Sequence, residues 1–204
     1  MACSGSLALL LYPHLIDYQH PHQQLQISLE AAPNKRIIDN VLANQVELGI
    51  ITQAVHMDEL QLTPLGQQAL CIVMPKKYQD TIINFEQLMA LGMVAHPDGM
   101  HYWQQIVNHY FNDKQAMAQQ VPIRSYVNQL NQILVPVAKG LAFAVLPQFA
   151  VDSFAQQAQI CIAKLDGIDD PKQGVSEPLF LINKKHRPLA KRYQPIIDII
   201  HNLV

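Results

Sequence analysis

Ser4, Gly5 and Ser6 form a small polar turn directly ahead of the apolar run Leu7 to Tyr18. Two hydroxyls and the unpaired amides of a helix start would make this turn a seat for a carboxylate or similar anion. The same letters serve equally as an ordinary Ser cap. Thr52 and Gln53 close a short run starting at Val46, and a strand apolar on both pleats belongs inside a parallel sheet, whose ligands lie beyond its carboxyl end. Arg124 offers a guanidinium fork for a carboxylate, or else points into water from a strand edge. His20 and His22 have chelating spacing, yet no Cys or carboxylate completes a ligand set, so no metal site is expected. Cys3, Cys71 and Cys161 show no CxxC spacing, and Cys3, without an obvious local base or resolving partner, reads as a small buried residue. GxSxG, HExxH, Walker and GxGxxG motifs are absent, so neither catalysis nor a cofactor is expected.

Positioning these groups requires alternating helices and strands. Ile37, Ile38, Val41 and Leu42 recur at helical spacing, with Asn34, Lys35, Arg36, Asp39 and Asn40 on the wet face. Asn44 should end that helix, because Asn tolerates the left-handed exit, and deliver the strand ending at Thr52. Earlier, Leu7 to Tyr18 reads as a buried helix with Pro13 near its first turns, and Leu25, Ile27 and Leu29 alternate with polar residues as a half-buried strand. Leu60 to Leu65 and Ala69 to Met74 read as long strands leaving the first unit, and Pro75 to Asp80 as a boundary. Asn84 caps a short helix, Gly92 to His96 is a strand, and His96 to His101 is a turn before a helix bearing Trp103, Ile106, Val107 and Tyr110. Gln119 to Tyr126 is strand-like, and Asn128 is placed to cap a helix carrying Leu130, Ile133, Leu134, Val137 and Ala138. Gly140 stops it before the apolar strand Leu141 to Leu146. Asp166 to Ser176 is a loop, Leu179 to Asn183 a strand and Leu189 to Leu203 a last helix.

A chain of 204 residues with 50% apolar content can bury a real core, and 15% charged residues with a net charge of -2 provide no basic field for gripping DNA. An odd number of cysteines fits a reducing compartment, the cytoplasm. The opening apolar run lacks the basic residues of a signal peptide, and no later segment approaches the ~18 apolar residues of a membrane span. The abrupt start at Met1 to Cys3 suggests residues upstream.

The letters resemble the effector-binding domain of LysR-type transcriptional regulators over nearly the whole chain. The resemblance rests on Ser4-Gly5-Ser6, Leu10-Leu11-Tyr12-Pro13, Tyr18 with His20-Pro21, Asn44 followed by Val46-Glu47-Leu48-Gly49-Ile50, and Gly140-Leu141-Ala142-Phe143-Ala144-Val145-Leu146-Pro147. Asn44, Glu47 and Ala142 depart from the family's usual Gly, Asp and Gly, each keeping the same physical role. The family's DNA-binding helix-turn-helix is absent from this chain.

The resemblance implies an α/β fold of two doubly wound, Rossmann-like subdomains joined by two crossover strands, of the type II periplasmic-binding-protein kind. The first would hold residues 1 to 74 plus 178 to 204, the second 75 to 177. A small-molecule effector would bind in the cleft between them and modulate transcription. Gathering strand ends and helix starts gives the expected site: Ser4, Gly5, Ser6, Thr52, Gln53, His96, Pro97, His101, Arg124, Ser125, Asn128 and Phe149, suited to an organic anion. Expected partners are the effector and a second copy, in a homodimer or higher homo-oligomer, paired through Leu25 to Leu29 and the helix after Pro147 with Phe149, Val151 and Phe154. DNA would be reached only through the missing N-terminal helix-turn-helix, and no membrane contact is expected. The alternative is a periplasmic solute-binding protein of a transporter, which shares this architecture.

Overall fold

The computed structural model describes residues 1–166 and 174–204, so the middle of the loop expected over 166–176 lies outside the described residues. Two compact units emerge, Met1–Gln68 with Glu177–Val204, and Ala69–Ser176.

In the first unit, β1 (Ala2–Cys3) pairs in parallel with β2 (Glu30–Ala31) and with β3 (Gly49–Ile51). β11 (Ser176–Lys184) runs antiparallel to β3, with Phe180 opposite Ile51 and Ile182 opposite Gly49. β4 (Leu60–Pro75) follows beyond β11. Between the short parallel strands lie α1 (Gly5–Gln19) and α2 (Asn34–Leu42), and α7 (Gln194–Leu203) closes the chain beside α1. α1 buries Ser6, Leu7, Leu11 and Leu15, the stripe that a 3.6-residue period produces. Pro13 sits inside this helix rather than in its first turns. α2 ends as its letters predict: Asn44 takes φ 56°, and the Gln45 amide returns to the Asn40 carbonyl at 2.9 Å.

β3 enters through a glycine for a steric reason. A Cβ at Gly49 would stand 2.6 Å from Ile37 Cγ2 and 2.9 Å from Ile182 Cγ1, so the helix and β11 close on the strand only over a bare backbone. The expected strand over Leu25 to Leu29 is a correction, because only Glu30–Ala31 pairs with β1. Leu25, Ile27 and Leu29 do alternate half-buried with exposed Gln24, Gln26 and Ser28, and the Ser28 carbonyl accepts from the Met1 amino group at 2.7 Å ahead of the paired residues.

The change of unit falls within β4, at Gln68 and Ala69, ahead of the Pro75 boundary expected from composition. Pairing explains this: Leu70 to Val73 lie antiparallel to β8 (Ala144–Pro147), and Val73 to Pro75 antiparallel to β9 (Ile160–Ile162). Leu70, Ile72 and Met74 enter one core with Trp103 and Phe143, while Cys71 and Val73 enter another with Leu134, Val137 and Leu146. Alternate residues thus serve opposite faces, which accounts for the uninterrupted apolar letters.

The second unit also contains β5 (Ile82–Ile83) parallel to β10 (Lys164–Leu165), and β6 (Met93–Ala95) parallel to β7 (Ile123–Tyr126). Asn84 caps α3 (Phe85–Leu91) in a full capping box with Gln87, as predicted. α4 (Gly99–Tyr110) begins inside the expected turn. The helix expected from Asn128 is broken into a 3-10 turn at Leu130–Gln132 and a five-residue α5 (Leu134–Ala138), and Asn128 caps neither. Pro136, unused in the sequence reading, supplies no amide for a longer helix. α5 ends on Gly140 at φ 82°, with the Leu141 amide returning to Pro136 at 3.0 Å, the same exit that Asn44 makes. α6 (Gln148–Asp152) follows β8; its Val151 is buried in the core, while Phe149 and, just beyond the helix, Phe154 are half-buried.

Candidate functional site

In the first unit the expected residues gather at one sheet edge. Ser4 follows the carboxyl end of β1 and Thr52 that of β3, while β11, running the other way, brings Glu177 to the same edge. Ser4 caps α1 with extended backbone, its Oγ accepting from the Leu7 amide at 3.4 Å and lying 3.1 Å from Ser6 Oγ. The first intrahelical bond is Ala8 to Ser4, so the amides of Gly5 and Ser6 precede it as helix-start donors. Ser6 is 4% exposed. Thr52 is clamped by Asn34, whose Nδ2 donates to Thr52 Oγ1 at 2.9 Å and whose Oδ1 accepts the Thr52 amide at 3.1 Å. Asn34 was expected on the wet face, and only the fold reveals its partner. Gln53 is exposed.

Two further residues at this edge escaped the sequence reading. Gln68 Nε2 donates to Glu177 Oε2 at 2.8 Å, both side chains being buried, and Gln68 Oε1 is a buried acceptor with no hydrogen-bond partner among the described residues. A lone acid in an otherwise apolar strand was the available signal for Glu177.

In the second unit, His96 and Pro97 follow the carboxyl end of β6, and Val127 and Asn128 that of the parallel β7. β8 runs with β6, as the bridge between Met93 and Phe143 shows, so Phe149 lies past the same edge. Asn128 and Pro97 are exposed, and Ser125 and Phe149 half-buried. His101, exposed on the first turn of α4, has its Nε2 3.0 Å from Gln105 Nε2.

Arg124 is not brought to that edge. It sits at the entry to β7, where Nε and Nη2 donate to the carbonyls of Leu91 and Ala90, each at 3.1 Å, so its fork finishes the carboxyl end of α3. His96 is likewise committed to the scaffold, its Nε2 3.0 Å from the Val145 carbonyl and its ring 6% exposed. Burial holds its pKa below the ordinary value, outweighing the opposing influences of the Val145 carbonyl and Asp98. A histidine kept neutral in the native state resists a proton that the unfolded chain accepts, so its contribution is full above pH ~6.5 and declines as pH falls below it. Urea unfolding at pH 7.5 and 5.5 is expected to show a larger acid loss of stability for the wild type than for His96→Gln; equal losses would exclude this role.

Cys3 and Cys71 are buried thiols whose pKa values burial pushes up to about 12, which makes both poor nucleophiles at neutral pH. No group of three or more potential metal ligands occurs among the described residues. Among these residues no helix is long and apolar enough to cross a membrane.

The LysR substrate binding domain family matches residues 1–204. No curated protein matches. Among solved structures, a sulfate-bound mutant of the OxyR2 regulatory domain from Vibrio vulnificus aligns with TM-score 0.75 at 15% identity, covering 100% of this chain and 94% of that one. A mutant OxyR regulatory domain from Pseudomonas aeruginosa gives 0.71 at 18%, covering 100% and 97%. The CcmR regulatory domain from Synechocystis, in complex with 2-PG, gives 0.72 at 16%, covering 98% and 94%. The fold is therefore the two-subdomain, type II periplasmic-binding-protein-like fold of such regulatory domains. Since the family match spans every residue, the chain belongs to the LysR substrate binding domain family.

Proposed function

We propose that this chain is the effector-sensing module of a LysR-type transcriptional regulator in the cytoplasm, and that its effector is a small organic anion. The observation that carries the reading is the start of α1, where the Ser4 and Ser6 hydroxyls and the amides of Gly5 and Ser6 converge after a buried strand. A helix start with paired hydroxyls stabilises a carboxylate through donors that already point outward. Thr52, fixed by Asn34, supplies a hydroxyl at the same edge. Gln68 Oε1 adds a buried acceptor, so an effector carrying a hydrogen-bond donor besides its anionic group suits the edge best. Pro97, Ser125, Asn128 and Phe149 are the candidates that the second unit holds at its own strand ends, His96 being held by the Val145 carbonyl.

The module's role is regulatory rather than catalytic: binding shifts a balance between conformations, by no more than the difference in affinity for the two. Pairing with a second copy through the exposed apolar face of α1, Leu9, Tyr12 and Ile16, fits the same reading. The family match over the whole chain favours a regulator over a transporter's solute receptor.

A thermal-shift screen of small carboxylates tests the anion site. An effector at about a hundred times its dissociation constant adds ~2.7 kcal/mol of stability. Ser6→Ala is expected to reduce that gain while costing the unliganded protein at most about 2 kcal/mol, the range for losing capping hydroxyls. A hit that stabilises Ser6→Ala and Thr52→Ala as well as the wild type would remove the assignment.

A further inference from the structure

The opposite edge of the first unit's sheet holds a concave feature that the effector reading does not use. Val46 and Glu47 lead into the amino end of β3, and Lys184 ends the antiparallel β11, so their surroundings lie at the far end of these strands from Thr52. A cavity of about 200 Å³ there counts Val41, Val46 and Leu189 among its apolar lining residues and Asn44, Glu47, Lys184 and Arg187 among its polar ones. An adjoining cavity of about 360 Å³ shares Val46, Glu47 and Arg187 and adds Arg192 and Tyr193.

The charges around this space do not balance. Glu47 is fully engaged: Oε1 accepts from Arg187 Nη2 at 3.2 Å, and Oε2 accepts from Arg192 Nη2 at 3.2 Å and from the Tyr193 hydroxyl. Arg187 also donates to Asn44 Oδ1 at 3.3 Å. Lys184 has no carboxylate partner among the described residues. Three cationic side chains therefore share one carboxylate along the lining of the two cavities. Concave shape, an apolar wall and convergent uncompensated charge are together the attributes of a small-molecule site.

We propose that this cavity is a second binding site, separate from the effector edge, and that it takes a small carboxylate with a compact apolar body. The carboxylate pairs with Lys184 and Arg187, and the body covers Val46 and Leu189. An inorganic oxyanion lacks the apolar part that would displace water from that wall, and a nucleotide exceeds the volume.

The experiment titrates cyclohexanecarboxylate into the 204-residue protein and follows backbone amide signals by NMR, with inorganic phosphate as the comparison. Saturable shifts centred on residues 41–47 and 184–190 are expected, without equivalent shifts from phosphate. Lys184→Gln, which leaves the Glu47 cluster intact, is expected to weaken binding about fivefold, the scale of one charge-assisted contact at a part-exposed site. Ala190→Trp, which fills the cavity, is expected to abolish the shifts, and Ser6→Ala to leave them unchanged. Absence of saturable shifts up to roughly 20 mM, a weak limit of binding, would overturn the proposal. So would shifts centred on Ser4 to Ser6, equal shifts with phosphate, or affinity indifferent to Lys184→Gln. Because Ser6→Ala tests only the effector edge, failure of either site is distinguishable from failure of the other.

Discussion

Replacing Trp103 with alanine is expected to destabilise the protein by about 3–5 kcal/mol, the range for deleting a large buried aromatic. Trp103 is fully buried at the centre of the second unit, its ring centroid 5.9 Å from that of Phe85 and 5.2 Å from that of Phe143. Its Nε1 donates to the Ala118 carbonyl at 2.9 Å, which ties α4 to the 3-10 stretch Asn112–Gln120. The variant thus leaves both a cavity and a carbonyl without its donor, and the two costs add. Domains of this kind have ~5–15 kcal/mol in total, so much of the stability should go. Urea unfolding followed by tryptophan-independent far-UV circular dichroism measures it, and a loss under about 1 kcal/mol would contradict the packing described.

Gly92→Ala should cost about 3 kcal/mol, with strain and overpacking each contributing in the range of 1–3. Gly92 has φ 80° and ψ 165°, a region that side chains avoid, and an added Cβ would lie 2.8 Å from the Pro122 carbonyl oxygen and 2.8 Å from Arg124 Cγ. Gly140 is the internal control. It also has positive φ, 82°, but nothing stands within 4 Å of the added Cβ, so Gly140→Ala should cost only ~1–2 kcal/mol, the left-handed penalty alone. Equal unfolding midpoints for the two variants would show that the approach of Pro122 and Arg124 to Gly92 carries no energy. The Gly92 carbonyl also accepts the Phe143 amide at 2.9 Å and so sets β6 beside the strand leading to Phe149.

Much of the fold is written in segments of a dozen residues or fewer. The exits at Asn44 and Gly140 and the cap at Asn84 each depend on neighbours along the chain, and the letters sufficed to place them, whereas the helix expected to be buried over Leu7 to Tyr18 exposes Leu9, Tyr12 and Ile16. Errors arose where a local pattern had more than one physical outcome. Alternation over Leu25 to Leu29 fits a paired strand or an extended segment with one buried side, and β1 begins at Ala2, opposite Glu30, so the ladder takes in only Glu30 and Ala31. Asn128 has the chemistry of a cap, but Pro136 leaves too short a helix to receive it.

What the sequence determined by itself was the class of the architecture, the edges at which strands end and the turn at Ser4 to Ser6, because periodicity and capping are contests among adjacent residues. The tertiary structure alone decided which polar groups are available to a ligand. Arg124 bonds to Ala90 and Leu91, Asn34 to Thr52, Gln68 to Glu177, and Arg187 to Glu47, each across a gap in sequence far longer than any local pattern spans. A donor's partner depends on which backbone or side chain the packing brings within about 3 Å of it, and no composition or spacing encodes that distance.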